Sequence, residues 1–156
     1  MLTRSMAGLL ILASGSTAAM SAEFDADTAH ARFTEAFNGR DWDAFRTVLA
    51  DDVVFHRANA SEVHVGPDAV IDIFEGTIGA PDQWNVKFAI LDSTDEFAGN
   101  DGRVVERGDF AITAGADDSS CYRGSYMMTW APQADETWKL QMLAWQDVET
   151  DIANCE

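Results

Sequence analysis

GSYMMTWAPQADETWKLQMLAWQDV, residues 124–148, contains three of the chain's five tryptophans and one of its two tyrosines. Its apolar residues recur at every second position on both sides of the polar stretch PQADE, which is the pattern of a β-hairpin with one face turned to a core. If Ala131 lies opposite Thr137, then Trp130 faces Trp138, Met128 faces Leu140, Tyr126 faces Met142 and Gly124 faces Ala144. One face is then almost wholly apolar.

Two earlier runs of the same period extend this face. Strands are expected at roughly 84–97, 103–114, 121–131 and 137–147, with GNDG as a second turn. The pairing carries Asp92 and Gly108 into the row of Tyr126, and Thr94 and Glu106 into the row of Met128. A glycine beside a tyrosine leaves space, and an acid beside a phenol in an apolar hollow offers a proton donor or acceptor. Tyr126, Asp92 and Glu106 are therefore candidate catalytic residues, with Trp130, Met128, Met142 and Phe110 as candidate ligand contacts. The same acids would serve equally as strand ends facing water, and the tyrosine as core. The other face of the hairpin carries Arg123, Ser125, Thr129, Lys139 and Gln141 together with Met127, Leu143 and Trp145. Arg123 then falls across from Trp145, and the apolar remainder suggests cover by a second subunit, hence a homodimer.

The first half of the chain has helical spacing. In DADTAHARFTEAFNG, Ala29, Phe33, Ala36 and Phe37 form one stripe, with Asp25 or Asp27 as cap and Asn38-Gly39 as stop. RDWDAFRTVLADD repeats the pattern with Asp41 as cap and Trp42, Phe45, Val48 and Leu49 inward. VVFHR reads as a short strand from Val53, and VGPDAVIDIFEG opens a third helix with Pro67 in its first turn. His56 and His64, on or just after that strand, are further candidates for a pocket base. Helices followed by strands imply an α+β domain, with three N-terminal helices packed on a curved, mostly antiparallel sheet.

The chain's 156 residues suit one domain. Ten Lys and Arg against 27 Asp and Glu give a net charge of −17, which repels phosphate backbones and anionic lipid, so nucleic acid is excluded as a partner. MLTRSMAGLLILASGSTAAMSAEF has a basic start at Arg4, an apolar run and small residues before Glu23, the form of a secretory signal peptide cut after Ala22, with Ala18 and Ala19 as rival sites. The domain then spans 23–156, in an exported protein, periplasmic or secreted, with no membrane contact once the signal is removed. Export favours oxidised thiols. In the hairpin register Cys121 lies opposite Asp147, eight residues before Cys155, so a disulfide would pin the C-terminal tail, adding on the order of 3–4 kcal/mol. The chain has no Gly-x-Ser-x-Gly, no phosphate-binding glycine loop, no His-Glu-x-x-His and no Cys-x-x-Cys, so no cofactor or metal is expected.

The order of elements resembles the nuclear transport factor 2-like superfamily, within its SnoaL-like branches. The likeness is carried by AFNGRDWDAFRTVLADDVVF, VGPDAVIDIF, GSYMMTW and ETWKLQMLAWQ, with Asp41-Trp42, Asp51-Asp52, Gly66 and Trp138 at the marker positions. The resemblance implies a cone-shaped α+β barrel with an apolar pocket at its open end, and dimers are common in such proteins. It spans isomerases, cyclases, dehydratases and members of no known activity, so fold alone does not choose. The leading expectation is an exported domain that binds a small apolar or amphipathic molecule in its cone. The alternatives are an isomerase, dehydratase or cyclase using a pocket carboxylate and Tyr126, and a structural or interaction module whose cone is filled by its own side chains.

Overall fold

The computed structural model describes residues 23–58, 60–78, 87–98, 101–114 and 120–148. The expected signal peptide over 1–22, Cys155 and therefore its bridge to Cys121 lie outside the described residues.

Helix α1, Ala26–Gly39, starts where the Asp25 carboxylate accepts the Thr28 backbone N–H at 3.1 Å and its hydroxyl at 2.8 Å. It ends at Arg40, whose φ of 52° is left-handed and stops the helix. Asp41 then caps α2, Trp42–Val48, by accepting the Ala44 N–H at 2.9 Å. This helix is shorter than expected. Leu49 already belongs to strand β1, Leu49–Arg57, because it finds a strand partner in Leu140. A three-residue strand that the sequence reading passes over, β2 (Val63–Val65), pairs antiparallel with Val54–His56. Gly66 follows at φ +87°, which a side chain would strain, and its N–H bonds the Val53 carbonyl at 2.8 Å as α3, Pro67–Ile78, begins.

Strands β3 (Lys87–Ala98), β4 (Val104–Ala114), β5 (Ser120–Pro132) and β6 (Trp138–Val148) fall within a few residues of expectation. The sheet order is β2-β1-β6-β5-β4-β3, antiparallel except for the parallel pair β1 and β6. The sheet is open, with β2 and β3 as its edges. Phe33, Phe37, Phe45 and Phe74 from the helices meet Phe55, Phe88, Phe110 and Trp145 from the sheet in a continuous aromatic core. Phe37 alone packs against the rings of Phe33, Trp42, Phe45, Phe74 and Phe88.

The β4–β5 register agrees with the sequence reading: Gly108 pairs with Tyr126 and Glu106 with Met128. The β5–β6 register does not. Trp130 pairs with Leu140, but Thr129 pairs with Met142, so Gln141 is an extra residue in β6, a β-bulge. Its amide donates to Asp52 Oδ2 on β1 at 2.9 Å, tying the bulge to the irregular stretch between Leu49 and Val54. Beyond the bulge the alternation reverses. Leu143 and Trp145 turn into the core, at 1% and 6% exposure, and Met142 turns away from it. Tyr126 therefore pairs with Trp145 rather than Met142, and Arg123 pairs with Val148 rather than facing Trp145. A second bulge, at Leu91 between Ile90 and Asp92, moves Asp92 opposite Asp109 and puts Ser93 in the row of Gly108. Asp92 is exposed.

Candidate active site

The helix-facing side of β4 reads Glu106, Gly108, Phe110, a carboxylate in an otherwise apolar row. Glu106 has no exposed surface. A buried carboxyl is tolerated only when its oxygens find hydrogen-bonding partners, and each oxygen has one. His30 of α1 places Nε2 2.6 Å from Oε1, and the indole N–H of Trp130 on β5 donates to Oε2 at 3.2 Å. His30 stands one turn before Phe33, so the packing that buries Phe33 also points the imidazole at β4.

His30 is the one member of this group that meets solvent, with 13% of its side chain exposed. It lines a groove of about 570 Å³ between α1 and β3, formed by Asp27, Ala31, Thr34 and Asn38 on one side and Phe88 to Ser93 on the other. The exposed bulge residue Leu91 lies along the groove. Asn38 fixes the spacing of the two walls: its amide donates to the Phe88 carbonyl at 2.9 Å and accepts the Phe88 N–H at 2.7 Å, as a neighbouring strand would. Among the described residues the lining contains Asp27 and Asp92 but no lysine or arginine. Among the described residues no three His, Cys, Asp or Glu side chains gather as metal ligands do.

A second hollow, of about 450 Å³, is lined by Asp92, Gly108 and Tyr126 together with Trp145, Arg107, Asp109 and Gln146. Three residues of the anticipated row thus reach one concavity, with Trp145 where Met142 was expected. Tyr126 is nevertheless buried, its ring lying over Gly108. Phe110, Met128 and Trp130 are fully buried in the core, and Met142 is on the opposite side of the sheet. His56 pairs with Val63 and Ala144 on the strand face opposite Phe55, while His64 stacks on the Phe55 ring at 5.9 Å. Neither histidine joins Glu106.

Of the sequence candidates, Glu106 and Trp130 are brought together, and His30 is the partner that sequence reasoning missed. Its signal was present: His30 lies three residues before Phe33 and seven before Phe37, on the flank of the buried stripe, where a polar residue needs a partner.

Three helices packed on an open six-stranded mixed sheet define the class of protein. The model of the SnoaL-like domain family matches residues 30–140, and the chain belongs to that family. Among solved structures it is similar to ActVI-ORFA from Streptomyces coelicolor, with a TM-score of 0.68 at 10% identity over 77% of this chain and 92% of that one. It is also similar to a hexachlorocyclohexane dehydrochlorinase, LinA type 2, with a TM-score of 0.65 at 13% identity over 83% and 87%. A nuclear transport factor 2-like protein of unknown function from Pseudomonas putida KT2440 gives 0.64 at 20% identity over 77% and 82%. At these identities the likeness establishes the fold. No curated protein matches the sequence.

Proposed function

We propose that this SnoaL-like chain is an acid–base catalyst that moves a proton on a small apolar or amphipathic molecule lying in the α1–β3 groove, as an isomerase, dehydratase or other lyase does. The observation that carries the reading is the 2.6 Å contact between His30 Nε2 and the buried Glu106 Oε1. A carboxylate that orients one imidazole nitrogen leaves the other for a substrate proton, the arrangement general-base catalysis requires. The similarity to a dehydrochlorinase, a protein whose reaction removes hydrogen chloride, is in keeping with such chemistry but does not establish it. With Asp27 and Asp92 in the lining and His30 as the one basic side chain among its described residues, the groove suits a neutral or cationic ligand better than an anion.

Solvent-deuterium incorporation into a panel of enolisable ketones, hydroxy-ketones and β-halo compounds tests the proposal. The wild type should exchange at least one member faster than buffer, and His30→Asn should abolish the excess. If no compound exchanges and none perturbs the His30 ring resonances, the reading is lost.

A non-catalytic module is the second reading, favoured by the aromatic filling of the cone: Phe33, Phe45, Phe110, Met128 and Trp130 occupy the space a deep pocket would need. Export is part of the proposal, supported by the composition of residues 1–22 and tested by sequencing the amino terminus of protein recovered from its host. Self-association is proposed for the outer sheet face, supported by the part-exposed Met127 and Met142 and tested by sedimentation.

A further inference from the structure

We infer that Trp130 is a positioning residue for the His30–Glu106 pair: its indole N–H fixes the Glu106 carboxylate so that His30 is held as the Nε2–H tautomer, with Nδ1 as the basic nitrogen. The inference deepens the acid–base reading of the same site, and its test is independent of turnover.

The argument runs from donor and acceptor roles. An indole N–H can only donate, so Glu106 Oε2, 3.2 Å from Trp130 Nε1, must accept. Any proton shared by the pair is thereby confined to the line between Oε1 and His30 Nε2, 2.6 Å apart. When the imidazole is neutral and the carboxyl ionised, that proton belongs to Nε2, and Nδ1 keeps its lone pair. When Nδ1 takes a proton, the imidazolium retains the same bond to Oε1 and nothing has to move. Trp130 can perform this role because it is itself enclosed by packed neighbours. It has no exposed surface, and Phe24 packs on its ring at a centroid distance of 5.8 Å. The acidic groups around the pair do not supply an alternative anchor. Asp27 on the same helix and Asp92 on β3 line the solvent-facing groove, and Asp95 is the backbone partner of Glu106 on β3. None of these carboxylates can donate an N–H to Oε2.

The test is the ¹⁵N shift pattern of the His30 ring in its neutral form, which distinguishes the two tautomers directly. The wild type should show Nε2–H alone, and Trp130→Phe, which keeps an aromatic ring but no donor, should show a mixture of tautomers. Trp138→Phe serves as the control, since Trp138 touches the same Phe24 ring at 5.1 Å while the indole that donates to Glu106 Oε2 is that of Trp130. It should leave the pattern unchanged. A wild-type Nδ1–H form, or a Trp130→Phe protein that keeps a single Nε2–H tautomer, would overturn the inference. Should Trp130→Phe fail to fold, the indole N–H resonance of Trp130 is read in the wild type and in Glu106→Gln. Slow exchange and a displaced shift in the former, both lost in the latter, support the anchor; an indole resonance indifferent to Glu106 removes it. Failure to find a substrate would sink the catalytic proposal without touching these tautomer results, and the converse also holds.

Discussion

The ring of Tyr126 lies over Gly108 so closely that a Cβ on the glycine would come within 2.8 Å of Cε1 and 2.7 Å of the hydroxyl oxygen, while overlapping the Asp92 carbonyl oxygen on the other side. Gly108→Ala should therefore force both the ring and the β3 bulge to shift, at about 1–3 kcal/mol or more. Urea denaturation measures the loss. Adding Tyr126→Phe should restore little, because the backbone carbonyl of Asp92 stays in place; full recovery would show that only the hydroxyl was in conflict.

Removing Glu106 leaves the donors of His30 and Trp130 facing an apolar interior. Glu106→Leu should cost about 3–5 kcal/mol, the range for breaking a buried pair. His30→Leu combined with Glu106→Leu should cost less than Glu106→Leu alone, since removing both partners removes most of the unmet hydrogen bonding. A double variant as unstable as the sum of its parts would mean that the two side chains are not coupled.

Asn38 supplies β3 with the two hydrogen bonds that a further strand would make at Phe88. Asn38→Ala should lower stability by about 1–3 kcal/mol and accelerate hydrogen exchange at the Phe88 amide. Asn38→Asp can accept but not donate, so it should protect that amide while still losing stability. Equal exchange in all three proteins would contradict the contact.

The Asp25 carboxyl is held below the ordinary aspartate range, first by the Thr28 backbone N–H and then by the Thr28 hydroxyl. As pH falls, the unfolded chain takes up this proton first, so the folded state loses ground. The contribution is complete above the unfolded value near ~3.9 and disappears as pH drops through the lower folded value. Asp25→Asn can still cap α1 but cannot titrate. Thermal melts between about pH 5 and pH 2 should fall less steeply in that variant than in the wild type; parallel curves would assign the acid limb to other carboxylates.

The charge of the groove predicts an order of affinity. In a series sharing one apolar scaffold, the amine and neutral members should bind more tightly than the carboxylate, and added salt should narrow the gap. Asp27→Asn with Asp92→Asn should narrow it too. Preferential carboxylate binding, measured by calorimetry, would reverse the proposed ligand class.

Much of this architecture was legible in the sequence because single side chains carry definite physical instructions. Asp25 and Asp41 mark helix starts, Phe33 and Phe37 mark one buried stripe, and Gly108 with Tyr126 sets the β4–β5 register. The bulges at Leu91 and Gln141 were harder to read, since an extra residue leaves no compositional trace. In β6 both parities are apolar, and only side-chain size hints at the reversal, with Trp145 competing against Ala144 for the interior. The His30–Glu106 pair was half visible. An acid in an apolar row signals a buried partner, but that partner is 76 residues away, and strand pairing alone does not identify it.

The extra residue at Gln141 lets one strand turn Leu140 and then Leu143 and Trp145 to the same side. A regular ladder that paired Gln141 with Thr129 would exchange Leu143 and Trp145 for Met142 and Ala144 beneath the helices, whereas a chain lacking Gln141 would keep both inside with no bulge at all. Natural variants one residue shorter at this point should therefore keep the pairs Met128–Leu143 and Tyr126–Trp145 and lose the tie to Asp52 instead.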